Sequence, residues 1–276
     1  MSGSYNIAWL CEALMVSRSG YYAWQRRQRH PCRRERENRA LTERIRVVFE
    51  ANRRAYGSPR ITRELGGVAS RNRIARLMRR QMIYARQRSK YRPQTTDSRH
   101  DDPIAPNRLR DLNVVRADQA WATDATCILT AQGWLYVVAM LDVFTRRVVG
   151  WSMGAALDTD LVLAALRMAV ARRRPASGLI VHSDRGAQFA SAAYRTEILR
   201  LGLLASMSRQ GNCYDNAFIE SFWSSLKIEA IFGRRFFTRA EARSAVFDYI
   251  EGFYNPRRRH SALGYLSPIN FESQLN

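Results

Sequence analysis

Three acidic residues stand where an acid needs a reason. Asp124 interrupts an apolar, strand-forming run, Trp121-Ala122-Thr123-Asp124-Ala125-Thr126. A charge inside such a strand is costly unless it is paired or binds a metal. Asp184 follows a short apolar run in His182-Ser183-Asp184-Arg185-Gly186. Strand ends of this kind are where open mixed sheets place ligands. Glu220 falls in the first turns of an expected helix, within Asn212 to Phe222. Taken singly, Asp184 is an ordinary turn residue, and Glu220 an ordinary carboxylate near a positive helix end. Together they offer oxygen ligands from three separate elements. Hard divalent cations such as Mg²⁺ want oxygen ligands and keep several waters. Two ions about 4 Å apart can clamp the attacking and leaving oxygens of a phosphodiester, one carboxylate bridging them. Asp124 is the expected bridge.

The spacing adds a fourth residue. Thirty-five residues separate Asp184 from Glu220, and Lys227 follows seven positions after the glutamate. Glu220, Ser224 and Lys227 lie at i, i+4 and i+7 and should share a helix face. The chain has 43 arginines and only two lysines, so composition alone would not place a lysine here. Its bland alternative is a surface lysine.

The elements that must position these residues read as follows. Ala120 to Leu129, Trp134 to Asp142 and Arg147 to Leu157 are rich in β-branched and aromatic residues. Gln132-Gly133 marks a turn, so an antiparallel meander is expected. Asp160 to Ala171 reads as an amphipathic helix, Gly178 to His182 as a strand, Ala190 to Leu201 as a helix and Leu203 to Met207 as a strand. The loop Ser208 to Tyr214 then delivers the helix carrying Glu220. Gly211 and Asn212 tolerate unusual backbone angles. This loop is expected to order on DNA and so couple substrate binding to assembly of the site; an ordered surface loop is the alternative. Helices fill the remainder. Strands followed by alternating strand and helix make an α/β mixed sheet with flanking helices.

The front of the chain is different. Residues 1–110 hold 26 Lys+Arg against 9 Asp+Glu, and residues 111–276 hold 19 against 15. Most of the net charge of +21 therefore sits in front, as a nucleic-acid grip would require. Tyr5 to Leu14 has helical spacing, and Ser17 caps a second helix bearing Tyr21, Tyr22 and Trp24. Arg26 to Arg39 continues as helix or linker, followed by a helix over Leu41 to Ala51. Ser58 as N-cap with Pro59 starts the next, which stops at Gly66-Gly67. Ser70 starts the last, with Ile74, Leu77 and Met78 inward and Asn72, Arg73, Arg76, Arg79 and Arg80 on the other face. This is a helix-turn-helix pattern whose arginine face would meet DNA. The expected divisions are 1–38 and 39–95 for the helical modules, 96–115 for a linker and 116–276 for the α/β core.

The four cysteines and four histidines are scattered, without metal-ligand spacing. No signal peptide is visible, and the longest apolar run, Trp134 to Leu141, is too short to span a bilayer. A reducing cytoplasm is the expected compartment.

In sum these stretches resemble a family. The pattern is similar to the D, D, thirty-five, E core of retroviral integrases. More closely, it resembles the orfB-type transposases of the IS-three family of bacterial insertion sequences. The resemblance rests on Tyr56-Gly57-Ser58-Pro59-Arg60-Ile61, Asn72 to Met78, Trp121 to Thr126, His182 to Phe189, Gly211 to Phe222, Phe253-Tyr254-Asn255 and Arg259-His260. It implies an RNase H-like fold, catalysis by Asp124, Asp184 and Glu220, and two Mg²⁺ ions with Mn²⁺ as a substitute. It implies cleavage and strand transfer of double-stranded DNA, both element ends and target, with Lys227 near the scissile phosphate. Arg185, Gln188 and Asn216 are expected to touch DNA or to hold the ligand groups; Asn216 could equally be a helix cap. A homo-oligomer on DNA is implied, in a bacterial cytoplasm and on the nucleoid when bound. The family's product is usually a fusion with an upstream frame that brings another helix-turn-helix and a leucine zipper. No heptad repeat is visible here, so that upstream protein or a frameshift fusion with it is an implied partner. The competing readings are a helix-turn-helix regulator, which would have no use for the triad, and an RNase H-like nuclease or resolvase, which would cut without joining.

Overall fold

A computed structural model describes residues 6–86, 103–110, 112–208 and 216–275. It divides into two units, Met1–Ala85 and Arg86–Asn276.

The first unit begins with α1 (Ile7–Ala13) and α2 (Arg18–Arg29). Ser17 caps α2 by accepting the Gly20 amide, as its sequence position predicts. The next helix, α3 (Arg33–Ala51), runs unbroken through the expected division between residues 38 and 39. The start signal at Ser58-Pro59 is offset by one residue. Gly57 is the N-cap without a side-chain bond, and Ser58 is already helical in α4 (Ser58–Glu64). Gly66 and Gly67 end it with φ of 67° and 73°, a backbone region that costs glycine little. In α5 (Arg71–Arg80), Ser70 accepts the Arg73 amide as N-cap. Ile74, Leu77 and Met78 are buried, with Leu41, Ile45, Phe49, Tyr56 and Ile61 supplying the rest of this small core. Each such side chain contributes roughly 1.5–3 kcal/mol relative to leaving it exposed.

The second unit carries the sheet: β1 (Ala120–Thr130), β2 (Gly133–Asp142), β3 (Val148–Gly154), β4 (Ile180–Ser183) and β5 (Leu204–Met207). Strand order is β3-β2-β1-β4-β5. The first three form the expected antiparallel meander, and β4 and β5 add in parallel. This is the RNase H-like α/β arrangement.

Helix α6 (Thr159–Arg173) connects β3 to β4. It is less one-sided than expected, with Leu161, Val162, Leu163, Ala165, Leu166 and Ala169 all buried, because it packs against the sheet and also against the helix that follows β4. Its approach to β3 is close: a Cβ on Gly150 would lie 2.5 Å from the Ala165 carbonyl. The helix expected over 190–201 is α8 (Ala192–Arg200), and a short α7 (Ala187–Ala190) precedes it. Ser191 separates the two and caps α8 through the Tyr194 amide.

Side chains alternate along a strand. Trp121, Val138 and Met140 therefore face the core shared with α6 and α8, and Asp124 faces the other way. That second face is covered by α9 (Ala217–Leu226) and α10 (Arg239–Phe247). Each of these helices continues into a π-helical turn, Lys227–Ile231 and Asp248–Tyr254. A 3₁₀ turn (Ser261–Leu263) and α11 (Pro268–Glu272) close the described chain. No helix among the described residues is long and apolar enough to cross a membrane.

Candidate active site

The parallel pairing of β1 with β4 brings the two aspartates together. Its register runs Ala120↔Ile180, Trp121↔Val181 and Ala122↔His182. Asp124 and Asp184 each stand two residues beyond the last rung, near enough for the Asp184 charge to act on Asp124. Asp184 is past the end of β4, where the chain turns. Its Oδ1 accepts the Gly186 amide at 3.0 Å. A Cβ on Gly186 would sit 3.2 Å from that oxygen, so a larger residue would crowd the carboxylate.

Asp124 is anchored at both oxygens. Oδ1 accepts the amide of Ala125 at 2.8 Å, and Oδ2 accepts the indole Nε1–H of Trp223 at 3.1 Å. Burial, reinforced by the neighbouring charge of Asp184 and then of Glu220, pushes its carboxyl up to about 8. The two hydrogen bonds oppose that rise without overcoming it.

Asp142 makes the contrast clear. It too is fully buried, at the end of β2. Its oxygens accept from the amides of Phe144, Thr145 and Asp118 and from the Thr145 hydroxyl. Asp142 is spent on a turn. Asp124 is surrounded by like charge.

Glu220 sits in the first turn of α9. Trp223 follows it by three residues, one helical turn on, and so shares its side of the helix. The Trp223–Asp124 bond therefore holds the face that bears Glu220 against β1. Trp223 was not singled out by the sequence reading; its spacing from Glu220 was the signal. No three His, Cys, Asp or Glu side chains among the described residues are drawn up closely enough to hold a metal ion as they stand.

Lys227 opens the π-helical turn, its carbonyl accepting the Phe232 amide at 2.7 Å. The expected α-helical frame thus covers Glu220 and Ser224 and ends at Lys227. Its ammonium is near enough to Cys127, three residues along β1 from Asp124, to draw that thiol down against the larger upward effect of burial.

The remaining expected residues fare differently. Arg185 Nε donates to the Ser208 carbonyl at 2.9 Å, tying the turn after β4 to the end of β5. Gln188 Nε2 donates to the Leu157 carbonyl at 3.3 Å. Asn216 occupies the N-cap position of α9, but its side chain makes no capping bond. Its buried Oδ1 has no hydrogen-bond partner among the described residues. Residues 209–215, most of the expected DNA-ordered loop, lie outside the described residues.

In the first unit, the arginine face of α5 divides. Arg73 is half-buried, donating to Asn38 at 3.1 Å and pairing with Glu37 at 3.5 Å. It fastens α5 to α3. Arg76, Arg79 and Arg80 are exposed.

Behind α9 lies a buried polar group that sequence reading did not find. Arg258 pairs with both oxygens of Glu229, at 2.7 and 2.8 Å, and the Tyr249 hydroxyl donates to the same carboxylate at 2.8 Å. Asn255 donates to the Val148 carbonyl and accepts its amide, both at 2.9 Å. It thus takes the place of a strand partner beside the irregularity in the β2–β3 pairing.

Comparison with known proteins agrees with this architecture. Residues 115–213 and 201–268 match two families, each described as an integrase core domain, and residues 35–91 match an HTH-like domain. The "Insertion element IS600 uncharacterized 31 kDa protein" of Shigella sonnei is 42% identical over 97% of this chain and 98% of its own. "Transposase InsF for insertion sequence IS3A" of Escherichia coli is 39% identical over 98% of this chain and 95% of its own. The chain belongs to the IS3 family of insertion-sequence transposases. It is therefore an enzyme of DNA transposition, with an HTH-like domain in front of an integrase core. Among solved structures, the simian T-cell lymphotropic virus intasome bound to the PP2A regulatory subunit B56 gamma aligns with a TM-score of 0.43 and 13% identity, over 79% of this IS3-family chain and 70% of that one. The HTLV-2 integrase catalytic core domain in complex with magnesium aligns with a TM-score of 0.41 and 12% identity, over 56% and 97%.

Proposed function

We propose that this IS3-family transposase cleaves and joins DNA strands at a divalent-metal site formed by Asp124, Asp184 and Glu220. The observation that carries the reading is the crowding around Asp124. Burial, and then the charge of two further acids, raises its carboxyl, and among the described residues no basic group is paired with it. A cation relieves such crowding, and a set of three carboxylates suits a hard one. Asp124, Asp184 and Glu220 would hold Mg²⁺, two ions in all, with Mn²⁺ as a substitute. Bound there, the metal would neutralise charge on the attacking and leaving oxygens of a phosphodiester.

The reaction is two successive in-line displacements at phosphorus. In the first, water displaces one strand at the element end and frees a 3′-OH. In the second, that 3′-OH displaces a strand of the target. No side chain forms a bond in either. The chain's own residues orient the phosphate and exclude alternatives. Lys227, which opens the turn after the Glu220 helix and lies near Cys127 of β1, would touch the phosphate next to the scissile bond. Arg185 and Gln188 brace the turn that carries Asp184, and Asn216 offers a buried oxygen at the start of α9. Arg76, Arg79 and Arg80 of the HTH-like domain hold duplex DNA, both element ends and target, through charge. The working form is a homo-oligomer on DNA, alone or with an upstream-frame partner, in the cytoplasm and on the nucleoid.

The test is a strand-transfer assay on DNA ending in the element's inverted repeat, run with Mg²⁺ or with chelator. Nicked ends joined to target only with metal are expected. Cutting without joining would indicate a nuclease or resolvase. Binding without cutting would indicate a regulator.

A further inference from the structure

We infer that Trp223 is a positioning residue for Asp124: its indole N–H fixes the plane of that carboxylate and ties it to the helix that carries Glu220. This rests on reading Asp124 as a metal ligand. It adds a residue that acts through Asp124 and touches neither DNA nor metal itself.

The geometry is direct. A carboxylate has about four lone-pair sites. On Asp124 one is taken by the Ala125 amide and one by Trp223, one on each oxygen. The group is therefore held at both oxygens, in one rotation, with a free lone pair left on each. The Ala125 bond comes from the next residue on the same strand. The Trp223 bond comes from another element, so it alone of the two relates Asp124 to Glu220.

Trp223 is itself held rigidly. It is 5% exposed and lies 4.7 Å, centroid to centroid, from the ring of Phe222. Phe222 meets Tyr254 edge-on at 4.8 Å, and Tyr254 meets His260 at 5.0 Å. Arg258 lies over Tyr254 and is bound to Glu229. Tyr254 and His260, from stretches that no catalytic role absorbs, thus back Phe222 on α9. Their part is to keep Trp223 where its donor meets Asp124.

A buried indole usually finds some acceptor, and a neutral carbonyl would serve for packing alone. Here the acceptor is the acid that the site's other carboxylates repel. Groups that orient metal ligands in this way commonly change metal affinity by about 10- to 100-fold when removed.

The test uses the full chain and Mn²⁺, with free ion followed by its paramagnetic resonance. Trp223→Phe keeps a ring in place and removes the donor. We expect Mn²⁺ affinity to fall by roughly tenfold or more, with duplex DNA binding unchanged. Affinity within about twofold of the parent would overturn the inference. A second readout needs no folded variant to carry metal: the Trp223 Nε1–H proton resonance of the parent protein. It should move when Mg²⁺ is added and should be displaced in Asp124→Asn; a resonance indifferent to both would also overturn the inference. If Asp124→Asn keeps full Mn²⁺ affinity, the metal assignment fails instead, and the two failures are distinguishable.

Discussion

Asp124 and Asp184 stand at matching positions, each two residues past the Ala122↔His182 rung that pairs β1 with β4. Sixty residues apart in the chain, they are brought together by one register. That register depends on the α6 crossover, whose close seat on Gly150 admits no side chain. The electrostatic consequence is local and measurable.

The first prediction follows from it. The Asp124 carboxyl is raised to about 8 in the folded protein, against roughly 3.9 in an unfolded chain. A raised carboxylate means that the folded state binds more protons than the unfolded one between those values. Stability contributed by this group is thus intact below about pH 4 and is lost as pH climbs through about 8. In metal-free buffer, Asp124→Asn should gain thermal stability relative to the parent as pH rises from about 5 to 9. A difference between the two melting temperatures that stays flat with pH would contradict the crowding.

The second prediction concerns the HTH-like domain. Arg76→Ala, Arg79→Ala and Arg80→Ala should each weaken duplex binding across all sequences, and those that meet phosphate should lower the salt slope by about 1. Arg73→Ala should act differently. Its guanidinium is engaged with Asn38 and Glu37, so its loss should lower the melting temperature and leave the salt slope nearly unchanged. Binding titrated from low to moderate salt separates the two behaviours.

A third concerns Asn255. It satisfies both backbone groups of Val148 in a buried setting. Asn255→Ala leaves a donor and an acceptor without partners and should cost about 1–3 kcal/mol for each unsatisfied group. Denaturant unfolding would read this. A loss below about 0.5 kcal/mol would mean that water or a shifted strand replaces the side chain.

Much of this was legible in the sequence because it is local. Ser17 and Ser70 mark helix starts by bonding amides a few residues on, and alternation along β1 puts Asp124 opposite Trp121. The strand order was partly legible, since short turns force a meander. What was not legible is long-range. Nothing near Glu229 announces Arg258, twenty-nine residues later, as its partner. The π-helical turn at Lys227 breaks a frame that spacing alone carries through. Arg73 looks like its exposed neighbours on α5 until α3 is packed beside it. Trp223 reads as one more core aromatic; its three-residue spacing from Glu220 is legible, but the acceptor of its nitrogen is not.

The central claim is that Asp124, Asp184 and Glu220 act together on DNA. Asp184→Asn tests it most directly, because Asp184 lies beyond β4, where its carboxylate bonds to the turn that follows and the substitution keeps its size. The measurement is Mg²⁺-dependent joining of element ends to target DNA, with duplex binding followed in parallel. Binding near the parent's with joining reduced to background is the predicted result. Substantial joining by the variant would contradict the account.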